Sequence, residues 1–203
     1  MFLSAKRLAV LLALAAAAYC FWPREPSLSA FDPEVIAALQ MQVWKSAREK
    51  KSTGLVLPLF RIYSGQFQIP PVPSAKLALN TAYALHLFHA APDAADQEKA
   101  LPLLEGVFAG IVGPTKSRFD PRAAARLELL NWTLRAEQAK PDRLVPAWAD
   151  LIGLLHARPS AKAVPAAKKF ALAARLANEG KWDPARAASA EAWATVKALP
   201  PGQ

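Results

Sequence analysis

Three histidines, His86, His89 and His156, are the residues in this chain best suited to holding a metal ion. His86 and His89 stand three apart, so a helix would carry both on one face. A working site needs a third or fourth ligand, and Asp93 or His156 would have to arrive from another segment. No CxxC or HExxH pattern supplies one, and the only cysteine, Cys20, lies in the apolar N-terminal stretch. The pattern is better read as polar residues near a helix end, and the expectation is no metal and no cofactor.

Carboxylates offer little more. Glu98 and Glu105 fall seven apart on one helical face, and both read as solvated or salt-bridged residues. Glu128 would sit near the middle of a central helix, where it could be a partly buried acid pairing with Arg126 or Arg135. No phosphate-cradling glycine loop and no GxSxG elbow occurs, the eight glycines being scattered at predicted helix ends. Nothing nominates a catalytic mechanism, so the expectation is a protein that is not an enzyme.

Cations form more tangible groups. KSAREKK carries Lys45, Arg48, Lys50 and Lys51; KSRFDPRAAAR carries Lys116, Arg118, Arg122 and Arg126; Lys168 and Lys169 form a third pair. Each group is a solvated helix face on the plain reading. On the sharper one it docks an acidic protein partner or anionic head groups, where each cation contributes roughly 1 kcal/mol near a charged membrane. The formal charge of +9 and a pI of about 9.9 favour such partners. No recognisable nucleic-acid-binding motif accompanies them, so nucleic acid is not an expected partner.

The elements that must position these residues begin with residues 1–23, which read as a signal-anchor or transmembrane helix. Lys6 and Arg7 precede an uncharged run from Leu8 to Pro23. If both cations snorkel, residues 2–22 reach roughly 31 Å at about 1.5 Å per residue, near the thickness of a hydrocarbon core. Phe2 would meet one interface and Tyr19, Phe21 and Trp22 the other. A cleavable secretory signal is the rival reading, with small residues at Ala15–Ala18 for cleavage. The bulky residues that follow favour the uncleaved anchor, and Tyr19 opposes lipid attachment at Cys20. Either way the N-terminus is expected in the cytoplasm, with residues 24–30 as a linker and residues 31–199 as a helical domain on the periplasmic side of a bacterial inner membrane.

Past residue 30 no alternating strand pattern occurs, and the fold class is all-α. Three stretches repeat a start signal: FDPEVIAALQMQVW from Phe31, FDPRAAARLELLNW from Phe119, and WDPARAASAEAW from Trp182. Asp32, Asp120 and Asp183 are placed as N-caps with proline just inside the helix. Phe31, Phe119 and Trp182 would staple the first turn, and Trp44, Trp132 and Trp193, three turns on, would pack between helices. The pattern predicts helices at about 33–51, 56–66, 74–90, 94–112, 121–138, 142–157, 161–179 and 184–198. Short connections make them antiparallel hairpins, stacked as a bundle or short solenoid. QIPPVPS, residues 68–74, is expected as a stiff connector that marks a sub-domain boundary, and GPTKSRFDP, residues 113–121, as a second break.

These residues carry a resemblance. Residues 31–200 resemble an uncharacterised family of bacterial single-span helical proteins with a Trp-rich first helix, a central FDP…ARLEL..W segment and a final W..A...aW-type helix. Trp44, Phe119 to Trp132 with Arg126, Leu127 and Glu128, and the pair Trp182 and Trp193 fill those places. The resemblance implies a helical domain behind one membrane span and brings no activity, cofactor or catalytic residue. A looser similarity is to tetratricopeptide-like hairpins, whose fixed period this chain lacks. The combined expectation is a membrane-anchored interaction or scaffold protein, or an accessory subunit of a membrane complex. The alternatives are a ligand- or metal-binding, enzyme-like domain with a pocket near His86 and His89, and an anionic-lipid-binding domain.

Overall fold

The computed structural model describes residues 24–199, and those residues contain helices and no strand. The expected N-terminal membrane helix, residues 1–23, lies outside the described residues; among the described ones no helix is long and apolar enough to cross a membrane. Eight principal helices follow: α1 Pro33–Arg48, α2 Thr53–Arg61, α3 Pro71–Ala90, α4 Leu101–Thr115, α5 Pro121–Ala136, α6 Pro141–Leu155, α7 Ser160–Asn178 and α8 Trp182–Lys197. A π-helical turn, Ile62–Gln66, extends α2. The segment before α4 is broken into a short turn, Ala94–Gln97, and a 3-10 turn, Glu98–Ala100, where one continuous helix is expected.

Two of the three Asp-Pro starts act as the sequence predicts. Asp32 accepts from the backbone N–H of Glu34 (2.9 Å) and Val35 (3.1 Å), and Asp120 from that of Arg122 (2.9 Å). Each satisfies donors that the first helical turn leaves orphaned. Asp183 differs. Gly180, at φ 77°, closes α7 so tightly that α8 begins at Trp182, placing Asp183 inside the first turn with no capping bond. It remains an acid near a helix N-terminus, favoured by the dipole alone.

Helix ends follow a second rule. Lys50, Gln68, Lys116, Gln138 and Ala157 all adopt left-handed backbone, φ 51–55°. After each, the next N–H returns to a carbonyl in the last turn, as in Lys51 to Ser46 (2.9 Å) and Arg158 to Gly153 (2.7 Å). Such closures turn the chain sharply and satisfy orphan carbonyls, at the cost of strain in a residue with a Cβ.

Successive helices pack on one another from α1 to α8, and α8 returns to pack on α1. The result is a set of antiparallel hairpins, as expected, closed into a ring, which the expected bundle or short solenoid does not specify. No sub-domain boundary falls at residues 68–74, because Pro71 opens α3 and α3 packs directly on α2. The closing seam is explicit. Gln40 Oε1 on α1 accepts from Ser189 Oγ (2.6 Å) and Trp193 Nε1 (3.0 Å) on α8. Lys197 Nζ donates to Phe31 O (2.8 Å), and the Phe31 ring meets that of Trp193 edge-on at 5.1 Å.

Hydrogen bonds also fix the polarity of the ring. Arg48 Nη1 donates to Ala177 O (2.7 Å) and Asn178 O (3.2 Å), and Asn178 Nδ2 donates to Arg135 O (3.1 Å). The carboxyl ends of α1, α5 and α7 therefore share one rim, with that of α3 between α1 and α5. The opposite rim holds the ends of α2, α4, α6 and α8 and residues 24–30, through Arg24 to Ser64 O (3.1 Å) and Ser27 N to Phe67 O (3.0 Å).

Candidate functional site

A closed ring of helices leaves its axis to be filled by side chains or left open, and here part of it is open. A cavity of about 490 Å³ is lined by residues from all eight helices. That volume falls in the range of small-molecule sites, roughly 300–1,000 Å³. Its walls are strongly aromatic: Trp44, Phe88, Trp132, Trp148, Phe170 and Trp193 all contribute. The rings pack against one another, Trp148 stacking on Phe170 at 4.8 Å and Phe88 meeting Trp132 edge-on at 5.6 Å, so the wall is stiff.

Within this apolar lining α5 places a carboxylate and a guanidinium. Glu128 lies mid-helix, and Trp132 Nε1 donates to its Oε1 at 2.7 Å. Burial raises the Glu128 pKa, opposed by that bond and by Arg135. Arg135, in the last turn, lies with its Cζ 3.7 Å over the Trp44 ring, a cation–π contact. Burial lowers the Arg135 pKa to about 10, against the pull of Glu128, so the guanidinium stays charged at neutral pH. The two groups feel each other, yet among the described residues they form no ion pair, and Arg135 donates to no protein oxygen.

The other polar groups of the cavity are mostly satisfied. Tyr63 Oη and Thr81 Oγ1 bond at 2.8 Å, and Thr81 donates on to Leu77 O (2.9 Å). Burial pushes the Tyr63 phenol up to about 12. His156 closes the end of the cavity nearest residues 24–30, with its pKa lowered to about 4 by burial and by Arg158, so it is neutral. His89 stands at the opposite rim, its pKa lowered by partial burial and then by Arg135 and Lys50.

His86 and His89 line one small pocket of about 150 Å³ with Ser46, Lys50 and Leu55, where His86 Nδ1 lies 3.3 Å from Ser52 Oγ, while His156 lies at the other rim; no group of three or more His, Cys, Asp or Glu that could hold a metal occurs among the described residues. Glu105 pairs with Arg122 at 3.3 Å on the outside. The cation clusters occupy opposite rims. Lys45 and Arg48 stand in the last turn of α1 and Lys50 and Lys51 follow it; Arg48 holds α7 and Lys51 pairs with Glu49 at 2.8 Å. Lys116, Arg118 and Arg122 surround the α4–α5 turn at the other rim, with Arg126 exposed one turn further on. Trp44 and Trp132 lie between helices as expected, but they also face the cavity, as do Trp182 and Trp193.

Glu128 and Arg135 were each visible in the sequence as possible partners; Gln40 and the cavity were not. Only ring closure brings α1 and α8 together, and no local signal encodes it. The chain matches no protein-family model, no curated protein and no solved structure among those compared, so the chemistry of the site rests on its own residues.

Proposed function

We propose that this protein is a non-enzymatic binding protein that takes a small ligand into the central cavity of its helical ring. The observation that carries this reading is an aromatic cavity of about 490 Å³ holding a carboxylate and a guanidinium that the protein leaves unpaired. Burying charge without a partner is costly, and a site that does so is built for a guest. Catalysis by paired carboxylates lacks its second acid, since Glu128 is the one carboxylate among the lining residues.

The apolar segment of residues 1–23 supplies the second half of the reading, a tether to a bacterial inner membrane with the helical domain on the periplasmic side. Residues 24–30 lead to the rim closed by His156, so the rim carrying Arg135 and Lys50 would face away from the bilayer. The family resemblance drawn from Trp44, Phe119–Trp132 and Trp193 agrees with a tethered helical domain. Native mass spectrometry of the full chain released from membranes in mild detergent tests the reading. A reproducible small-molecule adduct at one per chain supports it; an apo mass that no apolar probe shifts counts against it.

A second reading keeps a protein partner. Val72, Leu79 and Tyr83 form an exposed stripe along α3, 73%, 56% and 55% accessible. Large apolar side chains grouped on a surface mark interaction sites. An accessory subunit docked by this stripe, or by the rim cations on an acidic protein or anionic lipid, would co-purify from membranes. Loss of the partner in Leu79→Ser with Tyr83→Ser would assign it to the stripe.

A further inference from the structure

The cavity also specifies the charge pattern of its guest. Glu128 and Arg135 are seven residues apart on α5, close to two full turns, so both look into the ring with an axial offset of about 10 Å. Glu128 Oε1 is taken by Trp132, and Oε2 has no donor among the described residues. The Arg135 guanidinium is pinned by the Trp44 ring on one side and keeps its N–H donors unspent. Across the cavity, Gln40 uses its Oε1 twice, toward Ser189 and Trp193, which leaves its amide N–H groups for a guest.

A guest of one charge fits this arrangement badly. A simple carboxylate would satisfy Arg135 and then face Glu128 across a low-dielectric space; an organic cation would have the converse problem. A molecule with both charges satisfies both and keeps the enclosed site neutral. Resting on the reading that the cavity binds a small ligand, we infer that the ligand is a zwitterion with an apolar body: an apolar amino acid or a dipeptide. Its carboxylate lies on Arg135, its ammonium lies on Glu128, and its side chains lie against Trp44, Trp132 and Phe88. An extended peptide advances about 3.3–3.6 Å per residue, so with hydrogen-bond lengths at both ends one residue reaches about 9 Å and two about 13 Å, which bracket the offset.

Calorimetric titration of the full chain in detergent with leucyl-phenylalanine tests this. Its N-acetyl form, its C-terminal amide, free leucine and octanoate serve as comparisons. Capping either terminus is expected to weaken binding about tenfold or more, the worth of a charge-assisted hydrogen bond. Glu128→Gln, which preserves the acceptor for Trp132, is expected to weaken the dipeptide by a similar factor while leaving the N-acetyl form unchanged. Free leucine matching the dipeptide would place the site with single amino acids and support the same chemistry. Capped forms equal to the free dipeptide, or octanoate binding more tightly, would overturn the zwitterion while leaving the cavity a binding site. Failure of every probe, with an uncharged naphthalene dye also unbound, would remove the cavity reading as well. The capped ligands need only the wild-type protein, so a variant that fails to fold does not rescue the inference.

Discussion

Glu128 and Arg135 share one face of α5 and one cavity, and each spends its contacts on a tryptophan: Trp132 donates to Glu128, and Arg135 lies over Trp44. Seven residues apart, they lie beyond the three- or four-residue spacing at which helix side chains pair. Here the aromatic partners hold both in place and apart, which is what gives the cavity its polarity.

The raised pKa of Glu128 makes the first prediction. Its folded value lies above the unfolded one, so between the two the folded state holds more protons. By linkage, stability falls as pH rises through that window. Chemical denaturation of wild type and Glu128→Gln across pH 4–8 should show this fall in the wild type, and the difference between the two proteins should grow with pH in the variant's favour. A pH-independent difference would contradict the burial of Glu128.

His156 works in the opposite direction. Its pKa is lowered to about 4 from 6.5, so in that interval the unfolded chain binds the extra proton. Stability should be lost as pH falls from 6.5 toward 4, by up to about 3 kcal/mol from this group. His156→Gln should flatten that acid limb, as read from urea midpoints at pH 4.5 and 7.

Helix starts separate by geometry. Asp32→Ala and Asp120→Ala should each cost about 1 kcal/mol, because each removes a made cap. Asp183→Ala should stay within about 0.5 kcal/mol, as should Arg122→Ala, whose pair with Glu105 is exposed. Thermal unfolding of the four variants distinguishes them.

The α6–α7 turn contains a strained residue beside an indispensable glycine. Ala157 at φ 51° should gain about 1 kcal/mol on replacement by glycine, a rise of roughly 2–4 °C in Tm. Gly153→Ala should do the reverse, by about 1–3 kcal/mol, because its Cβ would stand 2.8 Å from Arg158 O.

The helices themselves were legible because their punctuation is local: Asp32-Pro33 and Asp120-Pro121 start helices wherever they occur, and the tryptophan of each echo falls on a buried face. Boundaries slipped where the signal was ambiguous. Pro71 and Pro73 read as a rigid connector, whereas both fit the first turn of α3, where proline loses no hydrogen bond. The ring was not legible, since its seam joins Gln40 to Ser189 and Trp193 from opposite ends of the domain. Glu128 reads from the sequence as a partly buried acid pairing with Arg126 or Arg135; it bonds Trp132 instead, inside a cavity that exists only once the other helices close around α5. His86 and His89 read as a pair and do share one small pocket, but among the described residues no third metal ligand joins them, and their nearest partners differ, Ser52 for His86 and Phe88 for His89.

The central claim is that the axis of the ring is a binding site. Equilibrium fluorescence titration with an uncharged naphthalene dye tests it most directly, comparing wild type, Ala136→Trp in the cavity lining, and Leu79→Ser with Tyr83→Ser on the outer stripe. The account predicts one saturable site, weakened at least tenfold by Ala136→Trp and unchanged by the outer substitutions. Binding that survives Ala136→Trp and disappears with Leu79→Ser and Tyr83→Ser would place the sticky surface outside the ring and contradict the account.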